Sequence, residues 1–271
     1  MIERRDRFLG LLGARSVIMG ILNVTPDSFS DGGKFQSLDA AISQAKKLAA
    51  DGADIIDVGA ESTRPGHTPI SEDEELARLE PVLGQLTAGV DAPFSIDTSK
   101  ARVARRAAEL GVSVVNDVWG LQKDPAMADV VAETGAAVVV MHNRDDVDPD
   151  LDIIADMRRF FDESLRLADK AGIPRHRVML DPGIGFGKTR AQNLDALRRL
   201  AGLKDFGLPI LVGVSRKSLF GELLSASVET RLIGTLAANL TAAAKGASIF
   251  RVHDAAEHLA AFKVFDAIER A

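Results

Sequence analysis

Eight short, unbroken apolar runs recur along the chain, and each ends in polar residues: Val17–Val24, Asp54–Ala60, Pro93–Asp97, Ser113–Val118, Ala136–Met141, Arg177–Leu180, Pro209–Val214 and Ser248–Val252. They are rich in Val and Ile and do not alternate with polar residues, which predicts strands buried on both faces of a parallel sheet. Between them the apolar period changes to 3.6 residues. Ser37–Asp51, for example, places Leu38, Ala41, Ile42, Ala45, Leu48 and Ala49 on one stripe. Similar stripes run over 72–86, 100–110, 125–134, 153–171, 191–200, 229–245 and 255–268. Gly52, Gly111, Gly135, Gly172 and Gly246 follow helical stripes, where a left-handed residue closes a helix.

Eight strand–helix units predict an α/β chain folded as a (β/α)8 TIM barrel. No linker, low-complexity tract or long charge run divides residues 1–271, so a single domain is expected. The alternative is an open doubly wound sheet, whose first strand would normally run into a Gly-rich phosphate loop. Here the first strand runs into Asn23-Val24-Thr25-Pro26-Asp27. The 33 Lys and Arg against 39 Asp and Glu are scattered along the chain and leave a net charge of −6, with no basic footprint for nucleic acid. The absence of Cys excludes disulfides, thiolate nucleophiles and Cys-based metal sites, and it suits a reducing, cytoplasmic setting. There is no Tyr to act as a phenolic acid or base. Met1–Arg7 mixes acids with bases, unlike a signal peptide, and the longest uncharged apolar stretch, Leu232–Ala244, is too short to span a bilayer.

In a barrel of this kind the active site forms at the C-terminal ends of the strands. Those ends hold Asn23, Asp57 with Glu61-Ser62-Thr63-Arg64, Asp97, Asn116-Asp117, His142-Asn143, Asp181, Ser215-Arg216-Lys217, and Arg251 with His253-Asp254. Any one of the short polar residues could simply cap the following helix, but eight such clusters on one rim exceed what capping needs. Asp97, Asn116 and Asp181 end apolar strands and should lie deep. Two carboxylates beside an amide suit a planar heterocycle with a row of N–H donors, such as the amino-pyrimidinone edge of a pterin or guanine. Arg251, His253, Lys217, Arg64 and Arg216 form the opposite class, donors for an anion. A hard ion held mostly by phosphate oxygens, with one amide or carboxylate from the protein, fits Mg²⁺.

The stretch Asp181-Pro182-Gly183-Ile184-Gly185-Phe186-Gly187-Lys188-Thr189 imitates a nucleotide loop without being one. Only three residues separate Gly183 from Gly187, and Pro182 stands where a phosphate loop needs its first Gly. A flexible loop of small residues is the expectation. Among the histidines, His253 is the site candidate, and His142 reads equally as site or structural residue. His67, His176 and His258 read as surface residues. Trp119 reads as core or pocket wall.

Several of these stretches together resemble dihydropteroate synthases. Met19–Gly33 and Asp54–Gly66 are similar to the two signatures of that family. Ser95-Ile96-Asp97-Thr98, Asn116-Asp117-Val118, Asp181–Thr189, Ser215-Arg216-Lys217-Ser218 and Arg251-Val252-His253-Asp254 follow in the family's order, so the likeness covers essentially the whole chain. It implies a folate-biosynthesis transferase that joins 6-hydroxymethyl-7,8-dihydropterin diphosphate to 4-aminobenzoate, releasing diphosphate, on a barrel that forms a homodimer. It implies that Asp97, Asn116, Met141, Asp181, Phe186 and Lys217 hold the pterin, and that Asn23 ligates Mg²⁺. It places Asn23, Thr63, Arg251 and His253 around the diphosphate, and Phe29, Arg64, Pro65 and Ser215 around the aminobenzoate. Asp97, Lys217, Arg251 and His253 are the implied catalytic set, and segments 24–35 and 61–70 the implied mobile loops. The chain departs from the family after the fifth run, where Met141-His142-Asn143-Arg144-Asp145 replaces the usual Met-His-Met-Gln-Gly. A sulfonamide, which mimics aminobenzoate, is an expected inhibitor.

The rival functions are a pterin-binding methyltransferase barrel and a passive pterin binder. The methyltransferase needs no diphosphate site, so the Ser215-Arg216-Lys217 and Arg251-Val252-His253 pair of motifs argues for the synthase, and a passive binder would not require the Pro-rich mobile loops or a metal-bound leaving group. Loss of diphosphate beside an electron-rich dihydropterin would leave a delocalised cation, which Asp97 is suited to stabilise.

Overall fold

The computed structural model describes residues 1–24, 34–61, 69–225, 227 and 230–269. Eight parallel strands close into a barrel in the order β1 (Val17–Asn23), β2 (Ile55–Gly59), β3 (Phe94–Asp97), β4 (Val114–Asp117), β5 (Ala137–Met141), β6 (Val178–Asp181), β7 (Ile210–Val212) and β8 (Ala247–Val252). The open-sheet alternative is thereby excluded: β1 pairs with β8 as well as with β2. Each strand coincides with one of the eight apolar runs.

The helices are α1 (Ile2–Leu9), α2 (Lys34–Ala50), α3 (Glu72–Gly89), α4 (Ala101–Glu109), α5 (Met127–Thr134), α6 (Ile153–Ala171), α7 (Arg190–Arg198), α8 (Ser218–Leu224), α9 (Leu232–Ala244) and α10 (Ala255–Glu269). Gly52, Gly111, Gly135, Gly172 and Gly246 all have positive φ, as expected after helices. Two helices go beyond the periodicity reading. The stripe expected over 229–245 begins as a helix only at Leu232, and α8 precedes it as a separate element. Helix α1 matches none of the helical stripes.

The two faces of each strand enter different cores. Ile18, Leu22, Ile56, Val58, Ile96, Val115, Val138, Val140, Leu180, Val212, Phe250 and Val252 pack outward with the helices. The alternate residues, among them Met19, Ile55, Val114, Val139, Met179, Leu211 and Ile249, fill the barrel interior. Phe8 of α1 joins this inner set and is fully buried, contributing about 2–3 kcal/mol by burial. Helix α1 is fastened under the barrel by Arg4, which donates to the Thr87 carbonyl at 2.8 Å, and by Arg5, which donates to that of Gly135. The N-terminal end of the barrel is thus filled with hydrocarbon, and polar residues on the same inward register are left for the other end.

Candidate active site

A strand turns its side chains to alternate faces, so the inward register continues from the apolar floor into a polar mouth. Ile55 is followed on that register by Asp57, Val114 by Asn116, Val139 by Met141, Met179 by Asp181, and Ile249 by Arg251 and then His253. Asp57, Asp97, Asn116, Met141 and Asp181 are all buried. The register of β3 on β4 sets Asp97 beside Asn116, and that of β5 on β6 sets Met141 beside Asp181.

An ion-pair lattice organises the mouth. Arg251 donates from Nε to Asp57 Oδ2 at 2.6 Å and from one terminal nitrogen to Asp97 Oδ2 at 2.7 Å. Asp57 also accepts from the Ser95 hydroxyl and from Asn116 Nδ2, the latter at 3.2 Å. Burial, opposed by Arg251 and reinforced by the Asp57 carboxylate, pushes Asp97 up to about 7. Burial also raises Asp181, whose Oδ1 accepts the Gly183 N–H at 2.7 Å. Burial lowers the Lys217 ammonium to about 8 against the opposing pull of Asp181. Lys217 donates to the Ile184 carbonyl and lies 4.5 Å from the centre of the Phe186 ring. Two buried acceptors in this lattice, Asp97 Oδ1 and Asn116 Oδ1, receive no hydrogen bond from the described residues.

At the β7–β8 side, Ser215 Oγ lies 2.9 Å from His253 Nδ1 and accepts the His253 backbone N–H at 3.1 Å. Asn23 ends β1 on the inward register, with its Oδ1 3.9 Å from the point where a Gly59 side chain would begin. Its amide oxygen suits a hard cation whose other ligands are phosphate oxygens and water. No group of three or more His, Asp or Glu among the described residues could hold a metal by itself.

Several sequence expectations are redrawn. Arg216, expected to face an anion, is paired with Asp254. His258, expected on the surface, is fully buried between Asn239 Nδ2 and the Asp254 carbonyl. His142 falls on the outward register and packs edge-on against Phe160 and Phe161, with Nε2 3.1 Å from Asp156. Burial lowers it to about 3, so it is neutral, carries its proton on Nε2 and is structural. Asp117 caps the backbone N–H groups of Trp119 and Leu121, and Trp119 lies half-buried under Lys123. Glu61 forms a triad with Lys100 and the buried Glu75. Arg144, in the loop that departs from the family pattern, pairs with Asp156 at 2.6 Å, on the helix side of β5.

The glycine-rich stretch after β6 is pinned rather than flexible. Lys188 is buried and donates to the carbonyls of Gly183 at 2.7 Å, Phe186 at 2.9 Å and His142 at 3.3 Å. Thr189 and Gln192 form a reciprocal cap at the start of α7. Lys188 and Thr189, the Lys-Thr pair of the imitated loop, thus serve the fold, and the same stretch carries Phe186 and Asp181. Phe29, Thr63, Arg64, Pro65 and His67 lie outside the described residues. Asp57, not singled out as a ligand-binding residue from sequence, is the acceptor that joins Ser95, Asn116 and Arg251.

The pterin binding enzyme family matches residues 19–253. A dihydropteroate synthase of Clostridium beijerinckii is 46% identical over 260 residues, covering 96% of this chain and 96% of that protein. The crystal structure of a Clostridium difficile dihydropteroate synthase in the presence of pteroic acid superposes with a TM-score of 0.94 at 51% identity, covering 96% of this chain and 99% of the other. A Yersinia pestis dihydropteroate synthase in complex with a sulfonamide drug gives 0.89 at 42% identity, covering 95% and 96%.

Proposed function

The chain belongs to the family of pterin-binding enzymes and has the dihydropteroate synthase function of its relatives, and on that premise we propose how its residues divide the reaction. The enzyme condenses 6-hydroxymethyl-7,8-dihydropterin diphosphate with 4-aminobenzoate to give dihydropteroate and diphosphate. The pterin ring occupies the mouth between Asp97, Asn116 and Asp181, with Met141, Phe186 and Lys217 as walls. The observation that carries this reading is the pair of unsatisfied buried acceptors, Asp97 Oδ1 and Asn116 Oδ1. A buried acceptor left without a donor costs about 1–3 kcal/mol, and the N–H edge of a pterin supplies the missing donors.

The diphosphate lies toward Asn23, Thr63, Arg251 and His253, and the aminobenzoate toward Phe29, Arg64, Pro65 and Ser215. Asn23 would hold Mg²⁺ at this end of the site, where the ion would supply charge neutralisation for the leaving group. The bond from the pterin methylene carbon to the diphosphate oxygen breaks, and its electron pair leaves with diphosphate. Asp97, ionised and facing the ring, stabilises the positive charge that develops there. The arylamine nitrogen then bonds to the methylene carbon and releases a proton to water or to the departing diphosphate. Ser215 and His253 hold the far end of the site in place. The same aminobenzoate position accepts a sulfonamide.

The working form is a single-domain chain paired with a second copy in the cytoplasm. Support for the pairing is an apolar groove of about 540 Å³ formed by Leu194, Phe220, Leu223, Leu224 and Ala237 across α7, α8 and α9. Ile233, beside it in sequence on α9, is 76% exposed, an arrangement costly in water. Support for the location is the absence of Cys and of any helix, among the described residues, long and apolar enough to cross a membrane. The test of the activity is to mix the protein with the dihydropterin diphosphate, 4-aminobenzoate and Mg²⁺ and to follow diphosphate release. Release that requires both organic substrates is expected; release without aminobenzoate would overturn the reading.

A further inference from the structure

The turn between β7 and α8 has a backbone shape that its sequence does not favour. Arg216 lies at φ +54, in the left-handed region that a residue with a Cβ generally avoids. It stays there because its amide, carbonyl and guanidinium are all held. The Arg216 N–H donates to Thr235 Oγ1 at 3.1 Å, its carbonyl accepts from Arg231 at 3.1 Å, and its guanidinium grips both oxygens of Asp254, from Nε at 3.0 Å. Asp254 is fixed in turn. Its carbonyl accepts from His258 Nδ1 at 2.6 Å, which places the ring proton on Nδ1 and leaves Nε2 to accept from Asn239 Nδ2 at 3.0 Å. Both His258 and Asn239 are fully buried. A chain of bonds therefore runs from the α9–α10 contact outside the barrel to a single backbone turn at its mouth.

The two neighbours of Arg216 are site residues. Ser215 meets His253, the residue next to Asp254, and Lys217 reaches the Ile184 carbonyl. We propose that Arg216, clamped by Asp254, is a positioning residue for the aminobenzoate end of the site: it acts through Ser215, by holding the hydroxyl against His253, and does not itself meet substrate. The inference rests on the reading above that Ser215 faces the aminobenzoate.

Arg216→Asn removes the clamp while keeping a residue that tolerates the left-handed conformation, and Asp254→Asn breaks the same pair from the other side. Each variant should raise the KM for aminobenzoate about tenfold, a shift within the usual range for coupled contacts. Equilibrium binding of 6-hydroxymethylpterin, without the diphosphate, should change far less than the KM, because Asp97, Asn116 and Asp181 lie elsewhere and Lys217 keeps its own anchor on the Ile184 carbonyl. Ser215→Ala should raise the same KM, and adding Arg216→Asn to Ser215→Ala should do little more. Unaltered KM in both clamp variants, or full multiplication of the Ser215 and Arg216 effects, overturns the inference while leaving the reading of Ser215 intact. If Ser215→Ala leaves the KM unaltered, the reading of Ser215 falls, and the inference falls with it.

Discussion

Arg251 Nε lies 2.6 Å from Asp57 Oδ2, deep in the barrel mouth where Asp57 has no exposed surface. The bond orients the guanidinium so that a second nitrogen reaches Asp97, and Asp57 thereby sets the position of two groups assigned to the reaction. Breaking one partner of a buried ion pair leaves the other charge poorly compensated. Asp57→Asn should lower stability by about 2–3 kcal/mol in chemical denaturation and weaken binding of the dihydropterin diphosphate. Wild-type stability together with wild-type affinity would show that Asp57 does not hold Arg251.

Asp97→Asn should separate stability from activity. The native pKa of Asp97 is raised from 3.8 to about 7, mainly by burial. Between those values the folded chain binds more protons at this site than the unfolded one, so this group's contribution to stability falls as pH rises toward 7 and then levels off. The Asn variant lacks that loss, so its stability relative to wild type should climb from pH 4 to pH 7. Its turnover should fall about a hundredfold or more, since the charge facing the developing cation is gone. In the wild-type enzyme kcat/KM should decline as pH drops through about 7. Denaturation and kinetics over the same pH series test all three.

Lys188→Met should loosen the loop after β6. Methionine fills the volume but leaves the Gly183, Phe186 and His142 carbonyls without their shared donor. A loss of about 2–4 kcal/mol is expected in thermal or chemical unfolding. Pterin affinity should drop as well, because Phe186 lies in the loop and Asp181 leads into it; calorimetric titration showing unchanged affinity would argue that the loop keeps its shape without the lysine.

Leu224→Glu addresses the proposed pairing of two copies. Leu224 is 51% exposed at the edge of the α7–α9 groove, so a charge there is tolerated by a monomer but desolvated by an apolar interface. The dimer dissociation constant should rise about thirtyfold or more, measured by sedimentation, with the melting curve of the monomer little altered. An unchanged sedimentation profile would place the contact on another face.

Much of the fold was legible because burial on both faces of a strand leaves a run that no other element requires. The inward register was legible too. Counting by twos from the middle of each run separates His253, in line with Ile249 and Arg251, from His142, out of line with Met141. The same counting at helical spacing finds His258, which stands between Ala255 and Phe262 on one buried stripe of α10. Only its place in a helix away from the strand ends points to the surface. Other features had no local signal. Helix α1 has only three apolar residues among five charged ones, and its burial depends on a barrel floor built by residues far along the chain. The left-handed turn at Arg216 is likewise set by Asp254, Thr235 and Arg231 rather than by its own preference.

Val17 pairs with Ile249, strand to strand, from opposite ends of the chain. Such pairing requires closing nearly the whole polypeptide into one loop before any contact rewards it, which makes it a slow step in folding. Arg251 and His253 arrive with that last strand, so Asp57 and Asp97 have no cationic partner from β8 until the barrel shuts. Assembly of the site and closure of the fold are therefore one event. A nascent chain halted before β8 should have its helices and most of its sheet, yet bind neither diphosphate nor pterin with native affinity. Competence for catalysis is in this sense a report that β8 has been made and has closed the barrel on β1.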